Sequence, residues 1–419
     1  MRRWALRSSL AVVLVLMMSL WALSGTETAR NLVVVLVDGM GPAHRQLGEL
    51  ASKGGLSMNR MPYLGCMETS SYGLDITDSA AAATAMFTGR KTYNTVIGYD
   101  YALDKSESIM SLASKAGMPT GIVTTSALYD ATSAAMYANV LMRSEYRNIS
   151  KQLVASSVTL AAGGGGGYIG PLLKEATAPS REKPSFNAYF DLDALSRGAL
   201  PAICLLAEGA MPKEIDSGTS PYGLKDMVEA ALGMLAADGR PFMLLVETGS
   251  LDGSSHDNDA AGVVRGMLAA DEAVKACLSF AGKDGDTLVV VAADHETGGL
   301  SLGAGNGLNV NVSKLLKVRA SAGKMASEAA SDWKRLKEIM KKYADYDLDD
   351  EDAARVRISA DPAREIGRLV SYESNVSWGS GSHTASIVLV TAEGPGGAAF
   401  SGWYDNTEFF LKMRQVLGL

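Results

Sequence analysis

The chain has 419 residues, 47% of them hydrophobic and 20% charged, enough to bury the core of one large or two ordinary globular domains. A net charge of -7 with no basic stripe excludes a nucleic-acid-binding surface, since duplex affinity comes largely from Lys and Arg on phosphates. With 44 glycines and 7% aromatics, the composition fits a loop-rich α/β enzyme and not a disordered or fibrous chain.

Arg2, Arg3 and Arg7 precede an apolar run from Leu10 to Leu23, and Ala22-Leu-Ser24 offers small residues for cleavage before Gly25. The pattern predicts a secretory signal peptide over residues 1–24. The run is shorter than the roughly 20 residues a spanning helix needs, so an uncleaved anchor is the weaker reading. Export to the periplasm or the extracellular space follows, with no stable membrane association after cleavage. Cys66, Cys204 and Cys277 are too few and too scattered for a disulfide framework, and Cys277 reads as a buried free thiol.

Leu32 to Val37 is an apolar run that delivers Asp38 at its tip, followed by Gly39-Met-Gly41; it reads as the first central strand. Thr77-Asp-Ser79 supplies helix-capping residue types ahead of an alanine run that Gly89 can close. Ser79 therefore stands at a helix N-terminus, where free N–H groups and the helix dipole favour an anion. By itself it is as well explained as a capping serine. His44, beside Pro42 with no carboxylate near it in sequence, reads as a surface residue.

Gly121 to Thr125 is a second strand leading to Asp130-Ala-Thr132, and a helix-like segment then carries Arg143. Val158 to Ala162 reads as a strand end, and Gly163 to Gly167 as a flexible loop without the pattern of a nucleotide-binding P-loop. Leu224 to Ala237 is an amphipathic helix. Phe242 to Val246 is a buried strand ending in Glu247, with Asp252 and His256 placed four apart, so one helical turn aims both at one point. Gly262 to Ala281 is a helix returning to the strand that ends in Asp294-His295. Strands alternating with helices predict an α/β fold with a doubly wound, mostly parallel central sheet flanked by helices.

Residues 303–377 change character: a charged helix around Trp333 to Tyr343 and an acidic turn from Asp345 to Asp352 predict a helical cap or insertion with solvated charges. The core resumes at Ser382-His383-Thr384, the strand Ile387 to Val390 and a final helix, Thr407 to Leu417. Residues 25–419 thus read as a single catalytic domain carrying this cap.

Asp38, Glu247, Asp252, His256, Asp294, His295 and His383 all fall at or just after predicted strand ends, and they include three of the four histidines. A set of carboxylates and imidazoles without cysteine suits Zn²⁺ and Mg²⁺, and is large enough for more than one ion.

Six ordered motifs carry a resemblance: V-x-V-D-G-M-G at Val35 to Gly41, T-D-S-A-A at Thr77 to Ala81, D-A-T at Asp130 to Thr132, E-x-G-x-x-D-x-x-x-H at Glu247 to His256, A-D-H-E-T-G-G at Ala293 to Gly299 and S-H-T at Ser382 to Thr384. The chain resembles the alkaline phosphatases, metal-dependent phosphomonoesterases, from about Leu32 to the C-terminus. The resemblance implies hydrolysis of small phosphate monoesters through a phosphoserine, with release of inorganic phosphate. It implies two Zn²⁺ and one Mg²⁺: Asp252, His256 and His383 on the first zinc, and Asp38, Asp294 and His295 on the second. Asp38 would bridge to a magnesium also held by Thr132 and Glu247. Ser79 would be the nucleophile and Arg143 the clamp on phosphate, and a homodimer is expected. Asp130, where many members have His, would stand behind the metals and favour Mg²⁺ over Zn²⁺ as the third ion. Gly253 stands where others carry a long basic or aromatic side chain. The rival readings are a phosphodiesterase of the same superfamily and an inactive metal- or phosphate-binding protein.

Overall fold

Asn31–Val37 (β1) is buried along its whole length, as expected for an uninterrupted apolar strand covered on both faces. The computed structural model describes residues 27–176, 186–218, 221–303 and 307–419; the signal-peptide reading of residues 1–24 lies outside these residues. The other strands in chain order begin with Tyr63–Glu68 (β2), Thr120–Ala127 (β3), Leu160–Gly164 (β4), Asn187–Tyr189 (β5) and Ala202–Ala207 (β6). Met243–Thr248 (β7), Thr287–Ala292 (β8), Glu296–Thr297 (β9) and Leu300–Leu302 (β10) follow. Val376–Trp378 (β11), His383–Thr384 (β12), Val388–Glu393 (β13) and Gly402–Asp405 (β14) complete the set.

Ten of these form one sheet in the order β14-β2-β13-β8-β1-β7-β3-β4-β6-β5. From β8 to β5 every neighbouring pair is parallel, and β13 runs against both β8 and β2. The predicted mostly parallel α/β sheet is the observed one. β1 sits between β7 and β8, with Leu36 opposite Glu247 on one side and Ala292 on the other. Parallel register thus brings the C-terminal tips of β8, β1, β7 and β3 to one edge, where open α/β sheets bind ligands.

The helices that matter for the site are Pro42–Ala51 (α1), Ser79–Thr88 (α2), Ala131–Ala134 (α3), Leu224–Ala237 (α4), Ser250–His256 (α5) and Ala260–Asp284 (α6). Between β10 and β11 lie Ala322–Ala330 (α7), Leu336–Ala344 (α8), Asp350–Ile358 (α9) and Pro362–Tyr372 (α10); Asn406–Leu417 (α11) ends the chain. α8 buries Leu336, Ile339, Met340 and Ala344 and turns Lys337 and Lys341 outward onto Asp350, Asp345 and Asp347, as amphipathic spacing requires. Two short antiparallel pairs close the neck of this segment. β10 meets β11, and β9 meets β12 with His383 opposite Thr297.

Three local expectations are corrected. Arg143 lies in a turn between α3 and the helix Tyr146–Ala155, not in a helix. Its backbone N–H goes to Thr95 O (2.7 Å) and Val140 pairs with Ile97, so these groups serve a cross-chain bridge in place of helical bonds. The glycine run is not a flexible loop. Gly163 and Gly164 finish β4, where a Cβ would fall 2.7 Å from Thr124 O and 2.0 Å from Gly209 O, and Gly166 opens the helix Gly166–Ala176. Glycine is needed there for close approach of backbones. His44, expected at the surface, is fully buried. Cys66, Cys204 and Cys277 are all free thiols.

Candidate active site

At the tip of β1, Asp38 N–H donates to Thr248 O of β7 (3.1 Å), which fixes the first carboxylate. The chain turns through Gly39 at φ +76°, where a Cβ would lie 2.9 Å from Thr297 Oγ1 and 3.0 Å from Asp252 Oδ1, so only glycine lets this loop pass. Asp294, at the tip of β8, has its Oδ1 held by the N–H groups of Gly39 (3.3 Å) and His295 (3.0 Å). Its other oxygen, Oδ2, lies 3.2 Å from His295 Nε2.

Each site histidine is oriented through the nitrogen that faces away from the centre. His256 Nδ1 meets Gly381 O at 2.8 Å, and His383 Nδ1 meets Thr77 O at 2.9 Å. A carbonyl only accepts, so both rings carry their proton on Nδ1. His295 Nδ1 lies 3.2 Å from Thr297 Oγ1, whose own proton goes to Asp252 Oδ1 at 2.6 Å, so this ring too donates from Nδ1. In the neutral rings three bare Nε2 lone pairs therefore face inward. His383 Nε2 is 3.2 Å from His256 Nε2, which is 3.2 Å from Asp252 Oδ2. His295 Nε2 is 3.6 Å from Asp38 Oδ1 and 3.2 Å from Ser79 Oγ, and its ring stacks on His383 at 3.6 Å.

Lone pairs aimed at one another beside carboxylates demand positive charge. Asp252, His295 and His383 form one group, and Asp38, Asp294 and His295 another, with ligand atoms within 4.8 Å of one another in each. Asp38 Oδ1 and Asp294 Oδ2 are buried without hydrogen-bond partners, among the described residues, as atoms reserved for an ion would be. Burial, with repulsion from Asp294, pushes the Asp38 carboxyl well above the usual range; burial and Asp252 raise Asp294 to about 6. Burial lifts Glu247 to about 7 and lowers His295 to about 4. Its hydrogen bond to Asp252 raises His256 to about 9, so without a metal the pair keeps a proton where a cation belongs. The donor set fits divalent zinc, which takes imidazole nitrogen and carboxylate oxygen.

The arrangement is not a Ser-His-Asp triad. In a triad the carboxylate holds Nδ1 and the serine meets Nε2. Here Asp38, Asp294 and Ser79 Oγ all lie on the Nε2 side of His295, the side on which a bound metal would meet all of them.

Ser79 itself is buried at the first position of α2. The carboxylate of Asp78 caps that helix through Ala81 N–H (3.0 Å) and receives Thr95 N–H (3.0 Å) and Arg143 Nη1 (3.3 Å) on its other oxygen. Arg143 Nη2 reaches Asp130 Oδ1 at 3.1 Å. The guanidinium is therefore stretched between two carboxylates, one of them the cap of the Ser79 helix, and a planar fork of this kind can pair with a phosphate. Asp130 also caps α3, which holds buried Thr132, and the next residue, Ser133, donates to Glu247 Oε2 at 2.6 Å. Glu247 and Thr132 thus lie to the β3 side of Asp38, outside both three-residue groups.

Sequence reasoning missed the residues behind this set. His44, in the first turn of α1, accepts Gly41 N–H on Nδ1 (3.3 Å), meets Ser255 Oγ with Nε2 (3.0 Å) and lies 3.7 Å from Glu296. Burial drives its pKa to about 3, so it is a neutral structural histidine. Glu296, Thr297 and Ser255 each stand next to or near a candidate ligand in the sequence, and that adjacency is the available signal.

A sequence profile of the family described as Alkaline phosphatase matches residues 29–164 and 192–419. The chain belongs to the alkaline phosphatase family. It is 31% identical over 401 residues to alkaline phosphatase 4 of Bacillus subtilis, covering 90% of this chain and 87% of that one. Its fold is similar to that of Thermus thermophilus alkaline phosphatase, with a TM-score of 0.86, 28% identity and 95% and 94% of the two chains covered. It is also similar to a histidine-to-aspartate variant of the alkaline phosphatase from the Antarctic bacterium TAB5 with Mg bound in the M3 site, at a TM-score of 0.71 and 26% identity over 94% and 99% of the chains. Like other alkaline phosphatases it is a hydrolase acting on phosphate monoesters. Among its described residues no helix is long and apolar enough to cross a membrane.

Proposed function

We propose that the chain hydrolyses phosphate monoesters through a phosphoserine at Ser79, in a site that holds two Zn²⁺ and one Mg²⁺. The observation that carries this reading is that three imidazole Nε2 atoms face one another beside buried carboxylates, two of whose oxygens lack partners among the described residues, with the Ser79 hydroxyl 3.2 Å from one of those nitrogens, His295 Nε2. Asp252, His256 and His383 would hold one zinc, and Asp38, Asp294 and His295 the other. Asp38, Thr132 and Glu247 would hold the magnesium. When bound, these ions would lower the pKa of the Ser79 hydroxyl, balance phosphate charge and stabilise the departing alkoxide.

Ser79 Oγ forms a bond to phosphorus as the ester oxygen leaves in line, giving phosphoserine and a free alcohol. Water then breaks the Ser79 Oγ–phosphorus bond, releasing inorganic phosphate. The exposed N–H groups at the start of α2 and the two-pronged guanidinium of Arg143 bind the equatorial oxygens. Arg143 favours a dianionic monoester over a diester, which offers less charge to pair with it. Asp130 supports Mg²⁺ as the third ion, since carboxylate oxygen suits the harder cation; the aspartate variant of the TAB5 enzyme holds Mg at its M3 site. Export of the mature chain and a homodimeric assembly are part of the same proposal.

Hydrolysis of an aryl phosphate monoester and of the matching bis-aryl diester by protein lacking residues 1–24 tests the reading. Monoester turnover that is lost on chelation and restored only by Zn²⁺ and Mg²⁺ together is expected. Dominant diester turnover would assign a phosphodiesterase, and zinc binding without turnover an inactive binder.

A further inference from the structure

α5 carries two candidate zinc ligands, Asp252 and His256, and is followed at once by a sharp bend in which buried Asn258 takes the left-handed region at φ +50°. A helix ends with carbonyls that lack partners. Here the partners come from a different element, α10 of the insertion. Arg364 Nε donates to His256 O (3.1 Å), Arg368 Nε to Asn258 Oδ1 (3.1 Å) and Ser371 Oγ to Asn258 O (2.8 Å). Between them Gly367 lies so near the bend that a Cβ would fall 2.1 Å from Asp257 O. Residues 364, 367, 368 and 371 share one helical face, so that face of α10 runs along residues 256–258.

The same arginine reaches the other fixed point of the ligand. His256 Nδ1 meets Gly381 O at 2.8 Å, and a Cβ on Gly381 would fall 2.1 Å from Arg364 Nε, so the guanidinium lies against that residue's backbone. Asn258 Nδ2 adds a tie to the neighbouring Ser380 O (2.7 Å). Arg364 Nη2 is held in turn by Asp361 Oδ2 (2.8 Å), at the N-cap of α10. Arg364 thus contacts both the main chain of His256 and the residue whose carbonyl orients its ring. With Arg368 it also brings positive charge to the C-terminal end of α5, where the helix dipole is negative.

Resting on the two-zinc reading above, we propose that α10 is the insertion's clamp on the His256 zinc site, with Arg364 as its positioning residue. Arg364 acts through His256 and Gly381, by fixing the main chain of one ligand and the carbonyl that sets its ring. Occupancy of this site and the order of α10 are then linked: whatever α10 adds to zinc affinity, bound zinc returns to α10. Among the described residues Asp38, Asp294 and His295 make no hydrogen bond with α10, so the link belongs to one zinc only.

The test is a zinc-binding isotherm by competitive chelation on the purified protein, read beside hydrogen exchange of the peptide spanning α10. His256→Ala identifies which zinc equivalent belongs to this site. Arg364→Ala should weaken that equivalent about tenfold and leave the other unchanged, the scale of losing a group behind a metal ligand. Arg364→Lys, which returns the charge and one donor, should recover part of the loss. In wild-type protein, filling the same equivalent should slow exchange across α10. Glu365→Gln is the control, because it loosens α10 from Arg355 of α9 without touching residues 256–258. Unchanged affinity of the His256 equivalent in Arg364→Ala would overturn the proposal. So would an equal loss at both equivalents, or an equal loss in Glu365→Gln, either of which makes the arginine a general staple. If Arg364→Ala does not fold, wild-type exchange decides: α10 that exchanges alike with and without zinc overturns the clamp. Wild-type protein that binds two zinc ions and turns over monoesters, with Arg364→Ala matching it, removes the clamp alone. Wild-type protein that binds no zinc removes the two-zinc reading with it.

Discussion

A histidine commits its second nitrogen by what it does with its first. His256, His295 and His383 each give Nδ1 to an oxygen and present Nε2 to the centre, while His44 is reversed. Ser255 Oγ already donates to Leu251 O (2.9 Å), so it accepts from His44 Nε2, and His44 Nδ1 accepts from Gly41. Around it Glu296 collects Gly299 N–H, Leu300 N–H and Thr384 Oγ1. Ser255, Glu296 and Thr384 each adjoin a candidate ligand, so His44 and Glu296 tie α5, β9 and β12 together behind the candidate ligands. Replacing His44 with Ala should weaken zinc affinity by about 10-fold to 100-fold, the usual effect of losing a group behind the ligands. A competitive chelator titration measures it, and unchanged affinity would show that the hub does not orient the ligands. The candidate ligands are legible because polar residues at the ends of apolar runs stand out. His44 was not, because its partners arrive from residues 255, 296 and 378, and only folding brings them near.

At the scale of elements, legibility followed burial. β1, β7, β8, α4 and α6 were visible because apolar runs or a continuous helical stripe leave few alternatives. β2 and β14 are not, since each is short and half exposed, β2 is interrupted by Gly65, and the two pair with each other across more than three hundred residues of chain. Arg143 was drawn into a helix by composition and taken out by its bridge to Thr95, whose φ of +75° is a strained conformation for a branched residue. That strain sits where Asp78 joins the Ser79 helix to Arg143, so the turn is held by the same carboxylate that caps α2. The insertion was readable as helical from its amphipathic charge pattern. Its bond from Ser321 N–H to Asp216, which ties it to the segment between β6 and α4, is not, because no local pattern encodes it.

For the whole molecule, the parallel sheet concentrates negative charge at one edge, and its stability depends on what balances that charge. Burial pushes Glu247 to about 7 and, with Asp294, raises Asp38 well above the carboxylate range, so the folded chain keeps protons that the unfolded chain has released. Stability from these groups falls as pH rises through that window. His256, raised to about 9 by Asp252, contributes stability that is complete below 6.5 and lost as pH approaches 9. Buried His295 and His44, lowered to about 4 and about 3, act in the opposite sense but only below 6.5. Chelated protein should therefore lose thermal stability from pH 6.5 to 9, and the gap in Tm between metal-loaded and chelated protein should widen, since metals also bind deprotonated ligands best. A gap that narrows with rising pH would contradict this charge balance.

The central claim is that Ser79 carries the phosphoryl group, and acid quenching of the metal-loaded enzyme during monoester turnover, followed by peptide mass spectrometry, tests it most directly. The account predicts one phosphoryl group on the peptide containing Ser79, absent after chelation, with Ser79→Ala both unlabelled and inactive. Turnover that persists in Ser79→Ala, or a phosphoryl group trapped on another residue, would contradict it.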